Sequence, residues 1–524
     1  MFKLSLSSDT GYVELADPAT GIKVGSLLYG LDKRPTVIAM SLARYSRSNA
    51  SMGDISKELL GKDNEAKLEN IAIKYGHASV AGMAHIAFCA EDISTLDAMR
   101  FFYECSVLDG QHRSTRYQDF SNARFLAVPS NMGNAEVREL YKQIVNKQLK
   151  DYKEVNASTK EALSKRFDIQ ESNNRENSSL VVRTLDCTRY LLPLALKDGF
   201  GAVISAREIS SRYISKLLGS KDPVSKRLGE LLIDLFTKEG EGYTPECASL
   251  IKHTEAKKTP TKEAIQFLES RNNQEYKRWP ERMGSPSSDL MVNEVAHMDA
   301  LVLNLELLMD PLRIDPSPCS NVTMNLLGNI IFKGFNHHNE LGNPYLSGSI
   351  AIQGMADIGS IKDLIRHRSL RRFVPLFEDE TNMIKELDRP SDKCYYLPPY
   401  FYDEGMDKLR EDYTNRLTNT YESIKDWYTK AISCMEVEVA NHYVKRLLPH
   451  AHATQYILSG SMADIAYMCS LRKGVGGHIQ YRMMAENIIS RLTYDFPLWD
   501  GLFNEFKSGD LVDPFSREQF LGRS

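Results

Sequence analysis

Arg366, His367 and Arg368 stand in succession in the second half of this 524-residue chain, and Ser114, Thr115, Arg116 and Tyr117 stand in the first. Three cationic or titratable groups in a row repel one another unless an anion or screening water lies among them, so the Arg-His-Arg cluster is a candidate anion site. The bland alternative is compensation of a helix dipole, because a helix C-terminus favours cations. Arg371 and Arg372 add charge nearby. The Ser-Thr-Arg-Tyr segment offers a hydroxyl, a permanently charged fork of donors and loop amides within four residues, which suits a phosphate monoester. Each half also sets a basic residue four positions before a proline in a Leu-Leu-Pro stretch: Arg189 to Pro193, and Lys445 to Pro449. The offset, 449 − 193 = 256, is about half the chain, so one catalytic domain occurs twice with complementary losses.

The elements that must carry these residues repeat in coarse outline. Residues 11–17 read as an opening strand and 35–43 as a helix. Alternating apolar residues over 83–90 predict a strand, and 95–105 has helical spacing. Asp109-Gly110 is a turn signal that places 111–121 on a loop, and a long polar helix over 135–155 precedes Arg189. In the second half, 347–353 predicts a strand and 359–368 a helix with Arg-His-Arg at its end. Residues 407–427 form a long amphipathic helix before Lys445, and 462–471 another after it. Residues 271–289, rich in charge, Pro and Ser with no apolar period, form the linker between a first domain over 1–270 and a second over 290–524.

Composition sets the outer limits. A chain this long exceeds what one core usually supports, which favours two large domains. A hydrophobic content of 42% and a charged content of 26% describe a soluble globular protein. The net charge of −4 gives no general pull towards nucleic acid or anionic membrane, so an anion site must be a local concentration of Arg. Tyr-rich stretches such as Tyr395-Tyr396 are flanked by Pro and Asp rather than by a basic face, which speaks against nucleic-acid binding. Eight cysteines show no Cys-x-x-Cys spacing, so no zinc ribbon or redox pair is expected, and reduced thiols fit the cytoplasm. Neither a signal peptide nor an apolar run of about 20 residues is expected to target a membrane.

In order and spacing these segments resemble the flavin-dependent thymidylate synthases, whose signature is Arg-His-Arg, seven residues, then Ser-x-Arg-Tyr. Upstream of it lies a Gly-His-x-Ser segment, and downstream an Arg-x-x-Leu-Pro helix and an Asn/Ser-x-Arg segment. Gly76-His77-Ala78-Ser79 and His85 match the upstream part; Ser114, Arg116 and Tyr117 match the distal signature; Arg189 to Pro193, with Ser205 and Arg207, match the rest. Glu104-Cys105-Ser106 replaces Arg-His-Arg in the first half. In the second, Arg366 to Arg368 and Arg472 match, but Leu376 and Glu378 replace the distal Ser and Arg, and Lys445 replaces the later Arg.

The resemblance implies an α+β fold in two tandem copies, each a mixed sheet packed with long helices. It also implies transfer of a methylene group from methylene-tetrahydrofolate to C5 of dUMP, with FAD as cofactor and NADPH as its reductant. The family builds each site from neighbouring subunits of a tetramer. Here the first half would supply nucleotide contacts and the second flavin contacts, and a homodimer of chains would mimic the tetramer. On that basis Ser114, Thr115, Arg116, Arg472 and His112 fall to the nucleotide, His112 standing where the family has an acid. Arg189 would polarise the uracil ring. Arg366, His367 and Arg368 would hold the flavin ring, with Ser205, Arg207, His77 and Ser79 as further flavin contacts. The catalytic set is Arg189, Arg366 and His367, with no metal. Methylation or hydroxymethylation of another pyrimidine nucleotide, or a non-catalytic flavin- or nucleotide-binding role, stays open. Cys105 invites comparison with synthases that use a Cys nucleophile, but nothing nearby activates a thiolate.

Overall fold

A computed structural model of the chain describes residues 3–7, 12–27, 35–45, 48, 78–116, 118–125, 128–129, 132–169, 174–238, 247–256, 291–295, 349–389, 391–474 and 477–495. The linker expected over 271–289 lies outside them. Six strands, β1 (Lys3–Ser7), β2 (Tyr12–Ala16), β3 (Lys23–Leu27), β4 (His85–Ser94), β5 (Leu108–His112) and β6 (Lys197–Ser205), form one sheet in the order β1-β2-β3-β4-β6-β5. A second sheet holds β7 (Met291–Val295), β8 (Ser349–Asp357), β9 (Arg371–Phe373) and β10 (Ala453–Gly460) in the order β7-β8-β10-β9. Pairing is antiparallel throughout the described strands, so the mixture is one of helix and sheet rather than of strand directions. The architecture is α+β, with the central pair β4·β6 of the first half recurring as β8·β10 in the second.

The repeat extends to local chemistry. Ser94 ends β4 and caps helix Thr95–Glu104 by accepting from the Asp97 amide, and Asp357 ends β8 and caps helix Ile358–Leu364 by accepting from the Ser360 amide. Ser205 and Ser461 close β6 and β10 in the same way. Each half then runs through a long helix, Ala135–Arg166 or Asp407–Ile432, into a shorter one, Asn174–Thr188 or Val437–Leu447, that stops at Leu-Leu-Pro. A proline lacks the amide that a helix needs and pushes its predecessor into extended backbone. The two extended segments therefore meet one another: Leu194 N donates to Leu448 O at 2.9 Å, and His450 N donates to Leu192 O at 2.9 Å. These bonds are related by the 256-residue offset and mark a pseudo-two-fold axis between Pro193 and Pro449.

Along β4 the alternating pattern buries Ile86, Phe88 and Ala90 on one face and leaves Ala87 and Cys89 half-buried on the other. The inner face meets an aromatic core in which Phe101 stacks on Phe200 at 4.0 Å and Phe88 meets both edge-on. Asp109-Gly110 does not turn the chain; it lies within β5. Strand pairing with β6 satisfies this backbone, and the missing Cβ of Gly110 serves close approach, since a Cβ there would sit 2.8 Å from the Gly201 carbonyl oxygen.

The long helices join the halves. The indole of Trp427 donates to Val137 O at 2.9 Å and meets the Tyr141 ring at 5.7 Å, while Thr159 and Tyr413 share a 2.8 Å hydroxyl contact. Trp427 is fully buried. Trp427→Ala should cost about 3 to 5 kcal/mol through lost burial and the cavity left behind. Urea unfolding should show a lower midpoint for it, and Trp427→Phe should cost clearly less.

Candidate active site

Helix Ile358–Leu364 closes before the basic cluster, so Arg366, His367 and Arg368 ride on the turn that follows it. Their repulsion is relieved pair by pair. Arg366 donates to the Asp363 carboxylate one turn earlier, and Arg368 crosses to the first half, donating to the Leu108 carbonyl and the Asp109 carboxylate on β5. His367 is buried, and its Nε2 accepts from Arg472 Nε at 2.7 Å, which requires that nitrogen to be unprotonated. Burial, then the Arg472 and Arg366 guanidiniums, push the imidazole pKa well below its usual value.

Asp363 is the centre of the charge arrangement. Burial alone would raise its pKa, but Arg366, Arg189, Arg472 and Arg116 outweigh it and hold the carboxyl well below the usual range. Arg189 Nη1 lies 3.8 Å from Asp363 Oδ2 and 3.5 Å from Thr115 Oγ1. Arg189 is 1% exposed, yet its Nε and Nη2 find no hydrogen-bond partner among the described residues, and neither does Asp363 Oδ2. Buried donors normally have partners. Gly359 makes room for this guanidinium: a Cβ there would stand 3.3 Å from Arg189 Nε and Nη2, and 2.9 Å from Asp357 Oδ1.

Arg116 is held by both halves. Its Nε and Nη2 grip Asp186 at 2.6 and 3.0 Å, and its Nη1 donates to Tyr481 Oη at 3.0 Å. Arg116 and Arg472 both approach the Tyr481 ring, at 5.7 and 5.3 Å from its centroid. Arg183 donates to Asp186 at 3.1 Å and to the Gly477 carbonyl at 2.7 Å. Ser114, half-buried, accepts the Arg116 amide at 3.2 Å and so shapes its own turn.

His112 lies beneath this loop. Its Nε2 meets Asp198 Oδ2 at 2.9 Å, Lys362 donates to the same oxygen at 2.9 Å, and the ring stacks on Phe102. Burial lowers its pKa to about 4 against the pull of Asp198. Ser205 spends its hydroxyl on the cap of the turn that follows, accepting the Glu208 amide at 3.2 Å, and Arg207 is exposed there. His77 lies outside the described residues, as does the side chain of Ser79 on helix Ala78–Ala81. Cys105 is buried, and desolvation pushes its thiol pKa far up, so it is no thiolate.

Two adjoining cavities of about 770 and 690 Å³ open beside the cluster and share Asp109, Val203, Arg366, Arg368 and Arg472. The larger lies against the half-buried face of the first sheet, where Gly25, Ala87, Gly110 and Gly201 leave a surface of small residues, and a Cβ at Gly201 would meet nothing within 4 Å. Hence the first half supplies a flat floor and the second a cationic wall. The cavities gather Arg366, His367, Arg368 and Arg472, whereas Ser114, Thr115, Arg116 and Arg189 line neither of them; Arg189 meets Thr115 and Asp363, and Arg116 meets Asp186 and Tyr481. Sequence reasoning missed Asp186, Asp363, Tyr481 and Lys362. Asp186 and Asp363 each stand three residues before an arginine already singled out, a spacing that shares one helix face. Among the described residues no group of His, Cys, Asp and Glu is arranged to hold a metal, and no helix is long and apolar enough to cross a membrane.

No curated protein matches the chain. Among solved structures it is similar to a UMP/dUMP methylase, PolB, from Streptomyces cacaoi bound with 5-Br dUMP, at 16% identity over 42% of this chain and 97% of that one, with a TM-score of 0.31. The family model described as thymidylate synthase complementing protein matches twice, over residues 28–221 and 348–498. With two matches covering well over half of its length and reaching every segment that meets at Asp363, the chain belongs to this flavin-dependent thymidylate synthase family as two tandem copies of its domain.

Proposed function

We propose that the chain is an FAD-dependent thymidylate synthase-like enzyme that methylates C5 of dUMP, with methylene-tetrahydrofolate as carbon donor, at one composite site between its halves. The observation that carries this reading is the convergence of Arg189 from the first half with Arg366 and Arg472 from the second on Asp363, with Arg116 joined across the halves to Tyr481 and Arg472 to His367. Two guanidinium donors of Arg189 remain unspent there, which suits an anionic or carbonyl-bearing ligand.

The residues present fit a flavin. A planar ring system suits the small-residue floor, and Arg366, Arg368 and Arg472 suit the negative charge of its reduced form. These residues would hold FAD, which, once reduced by NADPH, would supply hydride for conversion of the transferred methylene to a methyl group. Arg189 polarises the uracil ring as charge develops on it. Ser114, Thr115, Arg116 and Arg472 hold the nucleotide, while His112, closed off by Asp198 and Phe102, supports their loop from beneath. His367 serves as a neutral acceptor that aims Arg472. The domains divide within 271–289, and a cytoplasmic homodimer of chains would hold four such domains.

Arg366→Ala and His367→Ala should abolish flavin-dependent turnover of dUMP while leaving the fold intact. A lost charge-assisted contact worth about 1.5 to 3 kcal/mol weakens binding by roughly ten- to a hundredfold. Fluorescence titration of FAD checks the Arg366 variant, and unchanged FAD affinity and rate would remove both residues from the site. Arg116→Ala should weaken dUMP binding by a similar factor, and Ser114→Ala by less, with FAD affinity little changed. Asp186 keeps Arg183 as a partner at 3.1 Å, so the Arg116 variant is expected to fold. Isothermal titration with dUMP decides the case, and equal affinity for wild type and Arg116→Ala rules the role out. The intact protein should bind one FAD and one dUMP per chain. Two nucleotides per chain would refute a single composite site.

A further inference from the structure

The 256-residue offset carries the candidate site onto a second, pseudo-symmetric position. Arg189 maps onto Lys445, Asp186 onto His442, and Tyr190 onto Arg446, while Lys216 maps onto Arg472 and Asp222 onto His478. In the family signature Arg116 corresponds to Glu378. The cationic fork that faces one site is therefore a carboxylate at the other.

That carboxylate is fully engaged. Glu378 Oε1 accepts from Tyr103 Oη at 2.5 Å, its Oε2 accepts from Lys216 at 2.9 Å, and its backbone carbonyl accepts from Lys445 Nζ at 2.5 Å. Its neighbour Asp379 accepts from Arg100 Nη2 at 3.2 Å and lies 3.9 Å from His442 Nε2. Behind them Arg446 is completely buried and bridges Asp97 and Asp222 at 2.8 and 2.5 Å. Arg100, Tyr103, Lys216, Asp97 and Asp222 belong to the first half; Glu378, Asp379, Lys445 and Arg446 belong to the second. The candidate site leaves two Arg189 donors unspent beside Asp363, whereas here acids and cations are matched and the unpartnered buried atoms are the ring nitrogens of His442.

We propose that Glu378 and Asp379 are an internal ligand of the second position: they stand among Lys445 and Lys216, the counterparts of Arg189 and Arg472, and meet these cations and Arg100 as an anion would, so that they clamp the halves in the arrangement that the candidate site requires. The cations Arg100, Lys216 and Lys445 are the remnant of an anion site, now satisfied from within the chain. A breach of these half-buried pairs leaves charge undercompensated beside the fully buried Arg446, so the clamp resists loosening between the halves. The inference stands on the pseudo-symmetry and these contacts, whichever nucleotide the candidate site takes.

The test is thermal unfolding of the full chain carrying Glu378→Gln and Asp379→Asn together, with and without inorganic phosphate. Neutral amides leave Arg100 and Lys216 undercompensated, so the midpoint should fall by several degrees. Phosphate should then raise the midpoint of the double variant well beyond its effect on wild type, because it replaces the lost carboxylates. If the double variant does not fold, Glu378→Gln alone gives the same comparison. Lys216→Met provides the complement, a lowered midpoint that phosphate does not restore. An unchanged midpoint, or an equal response to phosphate in wild type and variant, overturns the proposal. These readouts need no dUMP turnover, so they hold even if the proposed reaction fails.

Discussion

Two backbone hydrogen bonds, Leu194 N to Leu448 O and His450 N to Leu192 O, fix how everything else meets. They form because each Leu-Leu-Pro segment is forced out of its helix by a proline and left with amides and carbonyls that need partners in the interior. Among the described residues, the segment of the other copy supplies those partners. Once the two segments pair, Arg189 and Lys445 are carried to separate composite positions about the axis. Strands β4 and β8 then start their capped helices from equivalent points: Thr95 N donates to Leu196 O, and Ile358 N to His452 O.

From that common frame the two positions diverge through charge. At one, Asp363 cannot neutralise the guanidiniums around it, and Arg189 keeps buried donors without partners. At the other, Lys445 is driven down to about 7 by burial and by Arg100, with Asp379, Asp222 and Glu378 opposing. The first arrangement is costly unless a ligand completes it, whereas the second matches carboxylates to cations and leaves the buried ring nitrogens of His442 without hydrogen-bond partners. Unspent donors and matched ion pairs are thereby divided between two positions related by the repeat.

Much of this was legible in the sequence because the signals were sequential. The Leu-Leu-Pro repeat, the Arg-His-Arg run and the Ser-Thr-Arg segment are local patterns, and the elements they predicted appear, with the long helix of the first half reaching Arg166 rather than Val155. What stayed hidden depended on pairs far apart in the chain. Asp198 meets His112 across 86 residues and Lys362 across 164, and Tyr481 reaches Arg116 across 365. No periodicity encodes such contacts. Glu378 shows the limit most clearly: as a letter it reads as the loss of a phosphate-binding arginine, and only the two donors on its carboxylate, Tyr103 and Lys216, reveal a replacement. Gly110 misled for a different reason, since a glycine marks a turn or a close approach with equal ease.

The placement of both copies on one chain has a consequence for dilution. When a site is split between separate subunits, its occupancy depends on how often those subunits meet, and it fades at low protein concentration. Here the contact between Arg116 and Tyr481 is intramolecular, so its local concentration is set by chain connectivity and by the paired Leu-Leu-Pro segments rather than by the number of molecules in solution. The cavity lined by both halves should therefore survive dilution that would separate any assembly of whole chains, as a property of the single polypeptide.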